Sequence, residues 1–186
     1  MAERWTTDIH PLDVAEILRV FDAHGVDHVL VGGIAGIFHG YSGATFDADT
    51  VPDLNLDNLA RLAGALRGLE ALVYADPRRR DLDSSGAPPE AAALDLDRPS
   101  TIRDHLSLAF STRAGRLDVL TVIDGPGGYA SLAPRAVVTR VAGAAVRIIT
   151  LADLVESKEA SGRPKDIAAL DELRRLLAEQ ADGPGR

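Results

Sequence analysis

The chain has no cysteine, which excludes a disulfide framework and any thiolate metal site. Aromatic residues are few, with Phe 4, Tyr 3 and Trp 1 in 186 residues, so Ala, Leu and Val must fill the core. No apolar run reaches the roughly 20 residues that a membrane-spanning helix needs. The first residues, MAERWTTDIHPLD, lack the basic-then-apolar order of a secretory leader. Positive charge is also short: Lys and Arg number 20 against 28 Asp and Glu, a net charge of −8. That balance argues against a tight, unspecific grip on nucleic acid. It leaves room for a local basic patch, with Arg78, Arg79, Arg80, Arg113, Arg116, Arg163 and Lys165 as candidates. The five histidines show no metal-ligand spacing. These absences point to a cytoplasmic chain with no membrane partner.

The richest stretch runs from Val29 to Val51, VLVGGIAGIFHGYSGATFDADTV. Val29-Leu30-Val31 reads as a buried strand, and Ile34 to His39 has helical composition. Gly32 and Gly33 lie between them, where the backbone can approach a phosphate and the first helical N–H groups can point at it. The chain becomes extended again at Asp47 and Asp49, whose period-2 spacing puts both carboxylates on one strand face. Two such carboxylates are costly side by side unless a cation lies between them. Mg²⁺, as one or two ions, is the natural choice, because it takes oxygen ligands and shares them with substrate phosphates. Thr45 falls on the same face, two residues before Asp47. A phosphate on its hydroxyl would add close to two negative charges beside the metal site.

A chain of this length is expected to form one domain, residues 1–186, with a core over 12–150 and C-terminal helices over 151–180. Apolar period predicts a first helix over Asp8–His24, a strand over Val26–Val31 and an amphipathic helix over Leu56–Leu69. Residues 76–99 hold charge, Pro and Ser without a sustained period, either as a loop beside the site or as a variable insertion. Strands are predicted over Leu106–Ser111, Arg116–Val122, Val137–Val141 and Val146–Ile149. Pro126–Leu132 reads as a connector. Thr150 is placed to cap a helix over Leu151–Ala160, with Asp153 at the capping-box position. A second helix follows the break at Ser161-Gly162-Arg163-Pro164. Asp166 lies in its first turn, where the helix dipole favours a carboxylate. A lone carboxylate in the apolar run Leu117-Asp118-Val119-Leu120 is either on a solvent face or there for a reason.

The glycine pair followed by Asp-x-Asp resembles the nucleotidyltransferase superfamily. The closer likeness is to its AbiEii-type or MenT-type toxin branch, through Val31-Gly32-Gly33, Ala35, His39-Gly40, Thr45, Asp47 and Asp49. Ser157-Lys158 and Gly162-Arg163-Pro164-Lys165-Asp166 match an SK…GRPKD signature of the same branch. The likeness covers about residues 12–178 apart from 76–99. One departure is Gly43, where many relatives carry an arginine.

The resemblance implies a mixed, twisted α/β (α+β) sheet flanked by helices, ending in a helix pair. It implies a metal-dependent enzyme that moves a nucleoside monophosphate from a nucleoside triphosphate to an acceptor hydroxyl. Asp118 becomes the third metal-holding carboxylate and a base for the hydroxyl proton. Gly32, Gly33, Thr45, Lys158 and Asp166 belong to the nucleotide site, with Lys158 balancing the triphosphate charge. The branch adds a role as a toxin acting on the 3′ end of tRNA and paired with a cognate antitoxin protein. Two alternatives stand beside it. One is modification of a small molecule, as in aminoglycoside nucleotidyltransferases, or of a protein. The other is a non-catalytic binding module.

Overall fold

The computed structural model describes residues 4–78 and 86–182. In chain order the elements are β1 (Trp5–Thr6), α1 (Val14–Ala23), β2 (His28–Val31), α2 (Gly32–Phe38), β3 (Asp47–Pro52), α3 (Leu56–Gly68), β4 (Leu72–Tyr74) and α4 (Pro89–Ala93). A 3₁₀ turn over Pro99–Asp104 leads to β5 (Ser107–Thr112), β6 (Gly115–Leu120), α5 (Tyr129–Leu132), β7 (Val137–Val141), β8 (Ala144–Ile148), α6 (Leu151–Ser161) and α7 (Pro164–Asp182).

Side-chain caps set several of these boundaries. Helix α1 starts at Val14 rather than Asp8, because the Asp13 carboxylate accepts from Glu16 N at 2.9 Å. Residues before it are held elsewhere: Asp13 N donates to Ala114 O at 2.8 Å. The Leu12 backbone lies where Gly115 allows no side chain, since an added β-carbon would come within 2.6 Å of its Cα. Asn55 caps α3 by accepting from Asn58 N at 2.8 Å, and Leu59, Leu62, Ala63 and Leu66 then form its buried face. Thr150 caps α6 through Asp153 N at 3.1 Å. The Asp153 carboxylate itself goes to Arg135 at 3.0 Å, so it does not close a capping box.

The strands form one mixed eight-stranded sheet in the order β1-β4-β5-β6-β3-β2-β8-β7. Pairs β1/β4, β3/β6 and β2/β8 are parallel and the rest antiparallel. Hairpin β5–β6 closes at Thr112↔Gly115, where Thr112 Oγ1 donates to Gly115 O at 2.7 Å. Strands β1 and β4, helix α5 and the 3₁₀ turn were not expected from the sequence. Helix α4 likewise falls inside the 76–99 segment that showed no period. Each is too short to reveal one.

Two apolar clusters cover the sheet. One joins α1 and α3 to β4, β5 and β6 through Phe21, Leu62, Leu66, Phe110, Leu117 and Val119. The other joins α2, α6 and α7 to β2 and β8 through Ala35, Val29, Val31, Ile148, Leu154 and Leu173. Along β6, Leu117 and Val119 are 1% exposed, so strand alternation turns Arg116 and Asp118 to the opposite face. Among the described residues no helix is long and apolar enough to cross a membrane.

Candidate active site

Strand register brings the acidic residues together. Parallel pairing of β3 with β6 sets Asp47 opposite Arg116 and Asp49 opposite Asp118. Asp47, Asp49 and Asp118 each offer a carboxylate oxygen, and these three atoms lie within 4.8 Å of one another. Such an oxygen set suits Mg²⁺, which one or two carboxylates can hold together with substrate phosphate. Asp47 and Asp49 come from one strand and Asp118 from the next, so the sheet's hydrogen bonds fix their spacing.

Burial and mutual repulsion act together on these carboxylates. Burial pushes the Asp49 carboxyl up to about 7, and the charges of Asp47 and Asp118 add to the push. Lys165 and a hydrogen bond from the Gly33 backbone oppose it. Asp118 is also raised by burial, against the pull of Arg116. A cation among the three would remove most of this repulsion.

The glycine pair serves the carboxylates at close range. Gly32 has φ +65, and a β-carbon there would overlap Asp49 Oδ2. A β-carbon on Gly33 would lie 2.6 Å from Thr45 Oγ1. Thr45 in turn donates Oγ1 to Asp47 Oδ1 at 2.7 Å. Gly32, Gly33, Thr45, Asp47 and Asp49 are thus one packed unit, and the glycines make room for acid groups.

The loop before β3 is tied to its surroundings at several points. His39 Nε2 meets Ile149 O at 2.7 Å. Ser42 donates its N–H and hydroxyl to the Glu172 carboxylate of α7 at 2.9 and 3.1 Å. The Tyr41 ring occupies the space that a side chain on Gly43 would need. That contact is a physical reason for glycine at this position.

Lys158 and Asp166 form a second unit. Asp166 is 2% exposed. It accepts from Lys158 Nζ at 2.8 Å, Ser161 Oγ at 2.6 Å and Arg163 Nε at 2.7 Å. Burial pushes its carboxyl up, but these three hydrogen bonds outweigh burial and hold it down at about 2. Lys158 is therefore spent on Asp166. The lysine whose charge is felt at Asp49 and Asp118 is Lys165.

Four members of the candidate basic patch stand in ion pairs, Arg78–Asp76, Arg113–Glu16, Arg116–Asp118 and Arg163–Asp166, and Arg116 also acts on Asp76 and Lys165 on Asp118. Arg79 and Arg80 lie outside the described residues. From sequence, Arg116 belongs only to that patch and Lys165 to the patch and the GRPKD signature, neither of them to the acid trio. The signals for them were present, since Arg116 shares the period-2 face of Asp118 and Lys165 directly precedes Asp166.

Sequence comparison finds no match among protein-family models or among curated proteins. Structural comparison does. The crystal structure of ANT(2″)-Ia in complex with adenylyl-2″-tobramycin superposes with a TM-score of 0.53 at 16% identity, covering 91% of this chain and 90% of that one. The solution structure of the antibiotic-resistance factor ANT(2″)-Ia gives 0.51 at 16% identity, covering 91% and 82%. The chain has a nucleotidyltransferase fold. Within that nucleotidyltransferase fold the acid trio sits on two adjacent central strands, and the C-terminal helices bring Lys165 within electrostatic reach of it.

Proposed function

We propose that this chain is a metal-dependent nucleotidyltransferase that moves a nucleoside monophosphate from a nucleoside triphosphate to a hydroxyl of a small acceptor. The observation that carries the reading is the meeting of Asp47, Asp49 and Asp118 oxygens within 4.8 Å on a sheet of this fold. In the reaction the acceptor oxygen bonds to the α-phosphorus, the bond to pyrophosphate breaks and the hydroxyl proton leaves to a carboxylate. Bound Mg²⁺ would supply electrostatic stabilisation of the attacking and leaving oxygens.

The chain's own groups take the remaining roles. Asp47, steadied by Thr45, and Asp49, held by the Gly33 backbone, would hold the metal. Asp118 completes the set and takes the proton, a task favoured by its raised carboxyl. Lys165 supplies positive charge for the triphosphate. Lys158, Asp166 and Arg163 fix the turn that carries it.

A small acceptor is favoured over tRNA on two counts. The two solved structures named above are both of ANT(2″)-Ia, and one is described with adenylyl-2″-tobramycin. The net charge of −8 suits a cationic small molecule near a carboxylate-lined site and opposes an RNA backbone. Support for tRNA as acceptor, a cognate antitoxin and a toxin role rests on the sequence motifs alone.

The test incubates purified protein with Mg²⁺, each labelled nucleoside triphosphate in turn, and either a panel of aminoglycosides and other hydroxylated amines or total tRNA. Asp47→Ala serves as the contamination control. The proposal expects label on a small acceptor and none with the variant. Label on tRNA alone would replace this reading with the toxin one. Absence of transfer to any acceptor, from protein shown to be folded, would favour a binding module.

A further inference from the structure

Arg116 forks the third carboxylate. Its Nε donates to Asp118 Oδ1 at 3.1 Å and its Nη2 to Oδ2 at 3.1 Å, so the fork takes both oxygens. The pair is largely shielded, with side-chain exposures of 27% for Arg116 and 14% for Asp118. The guanidinium also lies over the Tyr74 ring, 5.2 Å from its centre. Register places the same residue beside Asp47. One carboxylate therefore faces two claims, from the guanidinium that forks it and from the ion that the acid trio would hold.

We propose that Arg116 is a built-in competitor for Asp118, and that it releases the carboxylate when a divalent ion takes it. The inference rests on the metal-holding role of the trio given above. An ion on Asp118 with the fork intact would put two cations on one half-buried carboxylate, where their repulsion is only partly screened. Release costs less, because the side chain keeps its seat on Tyr74. A guanidinium also forks a phosphate as readily as a carboxylate. The triphosphate then offers the freed Arg116 a new partner, so nucleotide and metal would enter together. The ion alone would bind weakly.

The experiment measures Mn²⁺ binding without nucleotide, by loss of the free-ion magnetic resonance signal, for the native protein, Arg116→Gln, Arg116→Lys and Arg116→Gln/Asp118→Asn. Circular dichroism confirms that each is folded. Competition predicts that Arg116→Gln binds about tenfold tighter than native. Arg116→Lys keeps the charge but cannot make the two-toothed fork, and should tighten binding about threefold. The gain should vanish in the double variant. If Arg116→Gln binds no tighter than native, the inference is wrong. If Arg116→Lys equals native while Arg116→Gln gains, charge alone is at work and the fork is not displaced, which also overturns it. Binding by none of the four proteins would sink the metal-site reading together with this inference.

Discussion

Gly32 and Asp49 interlock: the carboxylate fills the space where any other residue at position 32 would place its β-carbon. Gly32 also sits at φ +65, which L side chains adopt only with strain. Gly32→Ala is therefore expected to displace Asp49. Stability should fall by about 1 to 2 kcal/mol, while Mn²⁺ affinity and nucleotide transfer fall at least about a hundredfold. Calorimetric titration with Mn²⁺ on the folded variant checks this, and near-native affinity would contradict the packing argument.

Asp49 carries a conflict between fold and site. Its carboxyl is raised from 3.8 to about 7, chiefly by burial. The folded chain therefore binds its proton more tightly than the unfolded chain, and ionised Asp49 costs stability. That cost appears as pH rises above 3.8 and is complete beyond about 7. In chelator at pH 8, Asp49→Asn should raise Tm by several degrees, and in a separate titration without chelator it should abolish Mn²⁺ binding. A lower Tm would mean that the carboxylate is not strained.

Much of this arrangement is legible in the sequence. The glycine pair, Asp47 and Asp49 stand out because strand alternation and the apolar run around them are unambiguous. Asp118 stands out because a carboxylate between Leu117 and Val119 needs a reason. What the sequence hides is pairing. No local pattern says that β3 lies parallel to β6 with Asp49 beside Asp118. The pairing of Lys158 is hidden for the same reason: its partner, Asp166, is set by the tight connection between α6 and α7.

The Lys158–Asp166 pair makes a separate test of that connection. With side-chain exposures of 14% and 3%, neither charge is easily left alone. Lys158→Met or Asp166→Leu alone should cost about 3 kcal/mol. The double variant should cost clearly less than their sum, as expected for direct partners. Urea denaturation of the three variants measures the coupling, and simple additivity would show that the pair is not a unit.

His28 should oppose Asp49 over the same acid range. It is buried against Phe21 and shares a 2.8 Å hydrogen bond with Thr50 Oγ1. Burial, helped by Arg147, lowers it from 6.5 to about 4. On acidification the unfolded chain gains this proton first, so stability is lost as pH falls from 6.5 towards 4. The loss approaches about 3 kcal/mol. His28→Gln keeps a polar group but cannot titrate in this range. The change in stability from pH 7 to pH 4.5 should be about 2 kcal/mol more favourable in that variant than in the native protein, and an equal change would remove His28 from the account.

Strand β3 gives Ala48 to one apolar cluster and Val51 to the other, and between them carries Asp49. The acid trio thus stands on the seam where two halves of the interior are joined. Loosening of either half, in any lesion far from the carboxylates, reaches them through the same strand. Occupancy of the metal site would then act as a gauge of that joint: whatever binds there clamps both halves at once, and a ligand small enough to touch three side chains can make the whole molecule melt as one body.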